Sequence, residues 1–184
     1  MIGTNMIGQP AQLDELARKT FDGFKQRGHV LVAAESCTAG LIAATLARVP
    51  GMSACLAGSF VVYQVNSKIG WLDVPAELIE RCDVVSREVA ECMVSQALLK
   101  TPHASIAISI TGHLGPYAPE GLDGIAWLGF ADRRIGVQSV MLKLKPGSIS
   151  QPSPEQRLSI RYERQQDAVR QSLSFLCDRL AEMA

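Results

Sequence analysis

An uninterrupted apolar run near the N-terminus restricts the fold of this chain more than any other feature. Residues 30–34 read Val-Leu-Val-Ala-Ala, and the polar residues Glu35 and Ser36 follow at once. A strand with one face in water alternates apolar and polar residues, whereas a strand covered on both faces is apolar throughout. The run therefore predicts a strand buried inside a sheet that carries helices on both of its faces.

Strands and helices alternate along the rest of the chain. We predict strands at 59–63, 104–110, 125–130 and 137–144, and helices at 11–27, 39–49, 67–72, 86–99 and 154–182. The last two strands form a hairpin. This order favours an α/β protein, a three-layer α/β/α sandwich with a mostly parallel mixed sheet and an antiparallel edge. Residues 1–184 form a single domain in this interpretation, with residues 1–10 flexible and residues 145–154 a loop before the last helix.

Composition and charge exclude several classes of protein. Hydrophobic residues make up 47% and charged residues 20%, as in ordinary globular domains. Basic and acidic residues balance at 18 each, so no nucleic-acid partner is expected. No apolar run long enough to span a membrane and no signal peptide are found. Five scattered cysteines without C-x-x-C spacing indicate reduced thiols and no metal site. We expect a cytoplasmic protein without a membrane partner.

Polar residues follow three of the predicted strands at their carboxyl ends. Ser36 follows the first strand, Tyr63 ends the second with Lys68 just beyond it, and Thr111 with Gly112 follows the third. Ligands of open α/β sheets bind beyond the carboxyl ends of the strands. The sequence therefore predicts that these residues converge on one small-molecule site, although a simple turn remains an alternative at Thr111 and Gly112.

Ser36 lies between the first predicted strand and the helix that follows it. The first N–H groups of a helix carry partial positive charge, so this place suits a serine nucleophile and an oxyanion. Serine is also a common helix N-cap, and that purely structural role stays open. Cys37 is a competing nucleophile, because the same helix end would lower the pKa of its thiol. No histidine is clearly placed as its partner.

Lys68 is the candidate base, since no Ser-His-Asp arrangement suggests itself. A lysine can replace histidine when desolvation or nearby positive charge lowers its pKa. Tyr63 would relay a proton or orient the lysine. The alternative for Lys68 is a solvated surface residue. Arg161, in a basic cluster on the last predicted helix, would bind a phosphate or carboxylate, or else pair with Glu163 or Asp167.

The segment Ala34-Glu35-Ser36-Cys37-Thr38-Ala39-Gly40 resembles the AESCTGG signature of the CinA C-terminal domain family, which includes the nicotinamide-mononucleotide amidohydrolases. Further segments that resemble the family are 49–54 (family VPGSSA), 60–63 followed by Lys68, 84–86 before a helix, and Thr111–Gly112 with Gly115–Pro116. The resemblance runs from residue 11 to residue 180.

The resemblance implies an activity and a set of site residues. Family enzymes hydrolyse the carboxamide of nicotinamide mononucleotide to nicotinate mononucleotide and ammonia, without metal or cofactor. Ser36 would be the nucleophile, Lys68 its base, and Tyr63 would assist. The substrate-binding residues implied in the same way are Glu35, Cys37, Thr38, Ala39, Gly40, Thr111, Gly112 and Arg161. The backbone of residues 37–40 would hold an oxyanion or phosphate, and Arg161 the phosphate. A homodimer is plausible from the family.

The chain departs from the family pattern around the substrate. The family's TGIAGPGGG loop is shorter here and lacks the glycine run, with His113 in place of isoleucine and Tyr117 beyond Pro116. Val65 replaces an asparagine. Ser159 and Ile160 replace the glycine and acidic residue of the G-[DN]-R element, and the next family arginine corresponds to Gln165 or Arg164. Two hypotheses follow: a hydrolase with an altered substrate, or a catalytically weakened nucleotide-binding or protein-partner module.

Overall fold

Five strands and six α-helices alternate along the described residues, 8–115, 117–146 and 152–183 of a computed structural model. The strands are β1 (Leu31–Glu35), β2 (Leu56–Val61), β3 (Ile106–Gly112), β4 (Ile125–Asp132) and β5 (Gly136–Lys143). The helices are α1 (Gly8–Arg27), α2 (Leu41–Ala47), α3 (Val65–Leu72), α4 (Ala76–Cys82), α5 (Arg87–Lys100) and α6 (Pro154–Glu182), with a short 3-10 turn at Met52–Ala54.

The strands form one mixed sheet in the order β2-β1-β3-β4-β5. β1 is parallel to both β2 and β3, whereas the β3–β4 and β4–β5 pairings are antiparallel. The predicted α/β class, the late hairpin and the antiparallel edge are confirmed. The parallel part is limited to the three strands that end at the predicted site, which places the loops after β1, β2 and β3 at one edge of the sheet.

Both faces of the sheet are covered, as the apolar run predicted. Leu31 and Ala33 of β1 belong to a core beneath α1, α2 and α6, whereas Val32 and Ala34 belong to a second core beneath α3, α4 and α5. The three isoleucines of β3 anchor the first core, and α5 supplies most of the second. Since successive residues of a strand point to opposite faces, all four positions are apolar.

Differences from the predicted elements are confined to ends and to one short helix. α4 was not predicted, and Pro75 is its N-cap. β2 begins at Leu56, earlier than expected, and α2 begins only at Leu41. Residues 8–10, expected to be flexible, belong to α1. The rest of the 1–10 segment and residues 147–151 of the predicted loop lie outside the described residues. No helix among the described residues is long and apolar enough to cross a membrane.

The close packing of α5 on the sheet depends on a glycine in β4. A Cβ atom built on Gly129 would lie 2.5 Å from Ser109 Oγ and 2.7 Å from the carbonyl oxygen of Ala90 in α5. Ser109 Oγ itself donates a hydrogen bond of 2.6 Å to that carbonyl oxygen. Backbone and a buried hydroxyl therefore occupy the space that any side chain at residue 129 would need.

We predict that Gly129→Ala lowers the free energy of unfolding by about 2 kcal/mol, because α5 must move away from the sheet. Gly70→Ala is the matched control: a Cβ there meets no atom within 4 Å, and alanine favours the helix α3 by up to about 1 kcal/mol. Urea denaturation measures both. A Gly129→Ala protein as stable as the wild type would contradict the packing described above.

Candidate active site

Ser36 lies in a tight turn between β1 and α2. Its N–H donates to the carbonyl oxygen of Ile110 at 3.0 Å, so the serine is tied to the end of β3. The chain then reverses through Ala39 and Gly40, whose φ angles of 53° and 93° are left-handed. Such angles cost alanine conformational energy that glycine avoids. The turn holds the Ser36 side chain, which is largely buried, at the sheet edge.

Lys68 of α3 reaches Ser36 across this edge. Its Nζ atom lies 2.8 Å from Ser36 Oγ and donates to the carbonyl oxygen of Val62 at 2.9 Å. The Lys68 residue is only 1% exposed, so the alternative of a solvated surface lysine is wrong. Burial lowers the pKa of Lys68 to about 8, because a desolvated ammonium is less stable than the neutral amine. A neutral Lys68 can accept the proton of Ser36.

The Glu35 carboxylate binds the N–H groups at the start of α2, which we expected to face the site. It is buried and accepts hydrogen bonds from the N–H groups of Ile42 and Ala43, both at 3.0 Å. The hydroxyls of Thr38 and Ser59 donate to the same carboxylate at 2.8 Å and 3.0 Å. The expectation that the first helical N–H groups point to the site is therefore wrong. They are capped from inside the protein.

Cys37 differs from the reactive thiol considered above. Burial raises the pKa of the thiol to about 12, so the predicted lowering by a helix end is wrong. The two backbone groups of Cys37 differ in their hydrogen bonds. The carbonyl oxygen accepts from Gln165 Nε2 at 3.1 Å, while the N–H donates to no other residue among those that the structure describes. An N–H directly after a nucleophile is a suitable donor to an oxyanion.

One open pocket of about 270 Å³ joins the ends of the three parallel strands. Its lining includes seven residues predicted for the site: Ser36, Cys37, Tyr63, Lys68, Thr111, Gly112 and Arg161. The Thr111 hydroxyl donates to the carbonyl oxygen of Val84 at 2.9 Å. Glu35, Thr38, Ala39 and Gly40 do not line it. They shape the turn behind Ser36 instead.

Arg161 and Tyr63 form the mouth of the pocket. The Arg161 guanidinium donates to the carbonyl oxygen of Gly115 at 3.0 Å and to the Tyr63 hydroxyl. The alternative of an ion pair with Glu163 or Asp167 is wrong within the described residues. Both partners of Arg161 are uncharged, so the guanidinium keeps its full charge toward the pocket.

Arg157 is a second arginine at the mouth, and its part in the site was not predicted. Its guanidinium carbon lies 5.2 Å from the centre of the Tyr117 ring, a pocket-lining residue, and the guanidinium donates to the Tyr117 hydroxyl. Arg157 precedes Arg161 by four residues, a spacing that puts both on one face of a helix. That spacing is visible in the sequence, within the basic cluster of the last predicted helix.

Arg164, a candidate for the second family arginine, points away from the pocket. It is 1% exposed and binds both carboxylate oxygens of Asp123, at 2.7 Å and 2.9 Å. It also donates to the carbonyl oxygens of Leu114 and Pro146 at 3.2 Å and 2.9 Å. This arginine therefore fastens the loop after β3 to α6.

Comparison with known proteins now identifies the family. The sequence model of the CinA C-terminal domain matches residues 13–172. The chain belongs to the CinA C-terminal domain family. A CinA-like protein of Myxococcus xanthus is 36% identical over 116 residues, which are 63% of this chain and 27% of that protein. A Streptococcus pneumoniae protein named for competence and damage induction is 39% identical over 120 residues, 65% of this chain and 28% of its own length.

Solved structures of CinA-type proteins have the same fold. The competence damage-inducible protein A of Klebsiella pneumoniae superposes with a TM-score of 0.82 at 26% identity, over 94% of this chain and 99% of that one. The competence/damage inducible protein of Agrobacterium tumefaciens gives 0.78 at 31% identity, over 92% and 96% of the two chains. The present chain thus spans about a quarter of the curated CinA relatives but nearly all of these solved CinA-type structures.

We predict that Glu35→Ala lowers the free energy of unfolding by about 3 kcal/mol, because it leaves the N–H groups of Ile42 and Ala43 buried without an acceptor. Glu80→Ala, at an exposed position of α4, serves as the control and should change stability by less than about 0.5 kcal/mol. Urea denaturation measures both. Equal stability of the two variants would contradict the role of Glu35.

Proposed function

We propose that this CinA-family chain is an amidohydrolase that converts the carboxamide of nicotinamide mononucleotide, or of a related pyridine nucleotide, to the carboxylate and ammonia. The observation that carries the proposal is the 2.8 Å contact between Ser36 Oγ and a buried Lys68 Nζ inside the pocket. A hydroxyl is a weak nucleophile until a base takes its proton. Lys68 supplies that base close to neutral pH.

The first half of the reaction forms an ester. Ser36 Oγ bonds to the amide carbon while its proton moves to Lys68 Nζ, and the carbonyl oxygen becomes an oxyanion. The N–H of Cys37 donates to that oxyanion. The carbon–nitrogen bond then breaks as the Lys68 ammonium returns the proton to the leaving nitrogen. Ammonia departs, and the acyl group stays on Ser36.

The second half consumes water. A water molecule attacks the ester carbon while Lys68 takes one of its protons. The carbonyl oxygen again becomes an oxyanion, which the N–H of Cys37 binds as before. The bond to Ser36 Oγ breaks, and Lys68 gives the proton back to the serine. One amide and one water thus become one carboxylic acid, which ionises, and one ammonia. Lys68 is neutral at the start and the end of each half, as a base of pKa about 8 allows.

The mouth of the pocket supports an anionic substrate. Arg157 and Arg161 lie one helical turn apart, and neither forms an ion pair among the described residues. Guanidinium groups bind phosphate oxygens strongly in such places. A ligand with an amide at Ser36 and a phosphate at Arg161 fits this division of the pocket. The volume of about 270 Å³ suits a small ligand rather than a polymer.

Ammonia release from nicotinamide mononucleotide tests the proposal. We expect the wild-type chain to release ammonia, and Ser36→Ala and Lys68→Met to lower kcat/KM by roughly a thousandfold or more, since nucleophile and base act as a unit. Ser95→Ala, at an exposed position of α5, is the matched serine control and should keep full activity. Nicotinamide riboside, which lacks the phosphate, should be a poorer substrate.

Two results would contradict this proposal. The amidohydrolase is wrong if the wild type releases no ammonia and Ser36→Ala binds the nucleotide as the wild type does. A nucleotide-binding module would instead release no ammonia, yet nicotinamide mononucleotide would stabilise it in thermal unfolding, and this stabilisation would survive Lys68→Met.

Activity should rise with pH through the pKa of Lys68. The reactive form is the neutral amine, so its fraction increases as pH rises, and kcat/KM should grow about tenfold per unit below pH 8 and level off above it. The profile is measured with nicotinamide mononucleotide and repeated with nicotinamide riboside, because the substrate phosphate ionises near pH 6. A profile that falls across this range with both substrates is the contrary outcome.

A further inference from the structure

His113 is a polar residue of the pocket that the proposed reaction does not use. It directly follows β3 and lines the same pocket as Ser36 and Lys68. Its N–H donates to the carbonyl oxygen of Ile125 at 2.8 Å, and its carbonyl oxygen accepts from the N–H of Gly124 at 2.9 Å. Both backbone groups are therefore bonded to the segment that begins β4, which fixes the backbone position of His113 at the pocket.

The ring nitrogen Nε2 of His113 has an unusual environment. It is buried and has no hydrogen-bond partner among the described residues. The buried polar groups around it are satisfied: the Thr111 hydroxyl donates to Val84, and Lys68 Nζ donates to Val62 and contacts Ser36. Buried polar atoms are nearly always hydrogen-bonded, so an unpaired ring nitrogen on a residue that lines a pocket is a candidate for a hydrogen bond to a ligand.

His113 lies between the two ends of the pocket. The carbonyl oxygen of Ile110 accepts from the N–H of Ser36, and the carbonyl oxygen of Gly115 accepts from Arg161. The short segment between these two contacts carries His113 near its middle. A ligand that places its amide at Ser36 and its anion at Arg161 brings the group that joins them alongside His113.

We propose that His113 is a specificity-determining residue whose Nε2 forms a hydrogen bond to a hydroxyl of that joining group. This inference rests on the proposed function, in which the joining group of a pyridine mononucleotide is a ribose. A hydroxyl both donates and accepts, so it pairs with Nε2 in either neutral tautomer of the ring. The family loop quoted above has isoleucine at this position, so this contact distinguishes the present chain from that pattern.

Substrates with and without the hydroxyls test the assignment. We compare nicotinamide mononucleotide with its 2′,3′-dideoxy analogue on wild type, His113→Leu and His113→Gln. His113→Leu should lower kcat/KM for nicotinamide mononucleotide about tenfold, the usual effect of one lost hydrogen bond, and for the analogue less than about twofold. His113→Gln places an amide near the Nε2 position and should recover to within about threefold of wild type. The control His103→Leu, on an exposed turn, should match wild type.

The contrary outcomes are distinct. Equal losses on both substrates would give His113 a structural role in the loop, and no loss on either would remove it from the substrate contact; both overturn the inference while the amidohydrolase stands. If the wild type hydrolyses neither compound, the proposed function fails. Calorimetric titration of the same variants then decides His113 separately: a tenfold loss of affinity for nicotinamide mononucleotide alone supports the contact, and equal affinities or no binding overturn it. Thermal unfolding checks that each variant is folded.

Discussion

A carboxylate with no exposure to water lies behind the candidate site, and the geometry of Ser36 depends on it. Glu35 ends β1 and binds the first N–H groups of α2, the hydroxyl of Thr38 in the turn and the hydroxyl of Ser59 in β2. A buried charge is tolerated only when hydrogen bonds replace its water. These bonds hold β1, the turn and α2 in a single arrangement. They therefore also determine the position of Ser36 relative to Lys68. Glu35 acts on the site without lining it.

Burial has opposite chemical consequences for the two residues beside Ser36. It lowers the pKa of Lys68 to about 8 and raises that of Cys37 to about 12. The neutral form is favoured in both cases, since low dielectric penalises charge of either sign. A neutral amine is a base, whereas a neutral thiol is a poor nucleophile. The same environment thus makes the lysine useful for proton transfer and keeps the neighbouring thiol unreactive.

The sequence predicted those features whose signal is local. The apolar run of β1 follows from burial on two faces. The predicted bounds of α6 are confirmed, and its first turn is closed by a capping box at Ser153. α4 was missed because none of its residues is buried, so no helical apolar period marks it. The burial of Arg164 could not be predicted either, because its partner Asp123 lies 41 residues away in the chain. The pKa of Cys37 depends on contacts of the same non-local kind.

Arg161 and Tyr63 are hydrogen-bonded to each other at the mouth of the pocket. We expect a ligand that binds Arg161 there to replace Tyr63 as its partner. A ligand oxygen that takes the Arg161 N–H now bonded to Tyr63 displaces a neutral phenol hydroxyl. A phosphate oxygen offers a charge-assisted bond that is stronger than the one it replaces, while an uncharged ligand offers no more than the phenol did. Selection between ligands therefore depends on how much stronger the new hydrogen bond to Arg161 is than the bond to Tyr63 that it replaces. Under the proposed function, an anion gains more than a neutral ligand from this exchange, and we expect the exchange to free the hydroxyl of Tyr63, which borders the pocket.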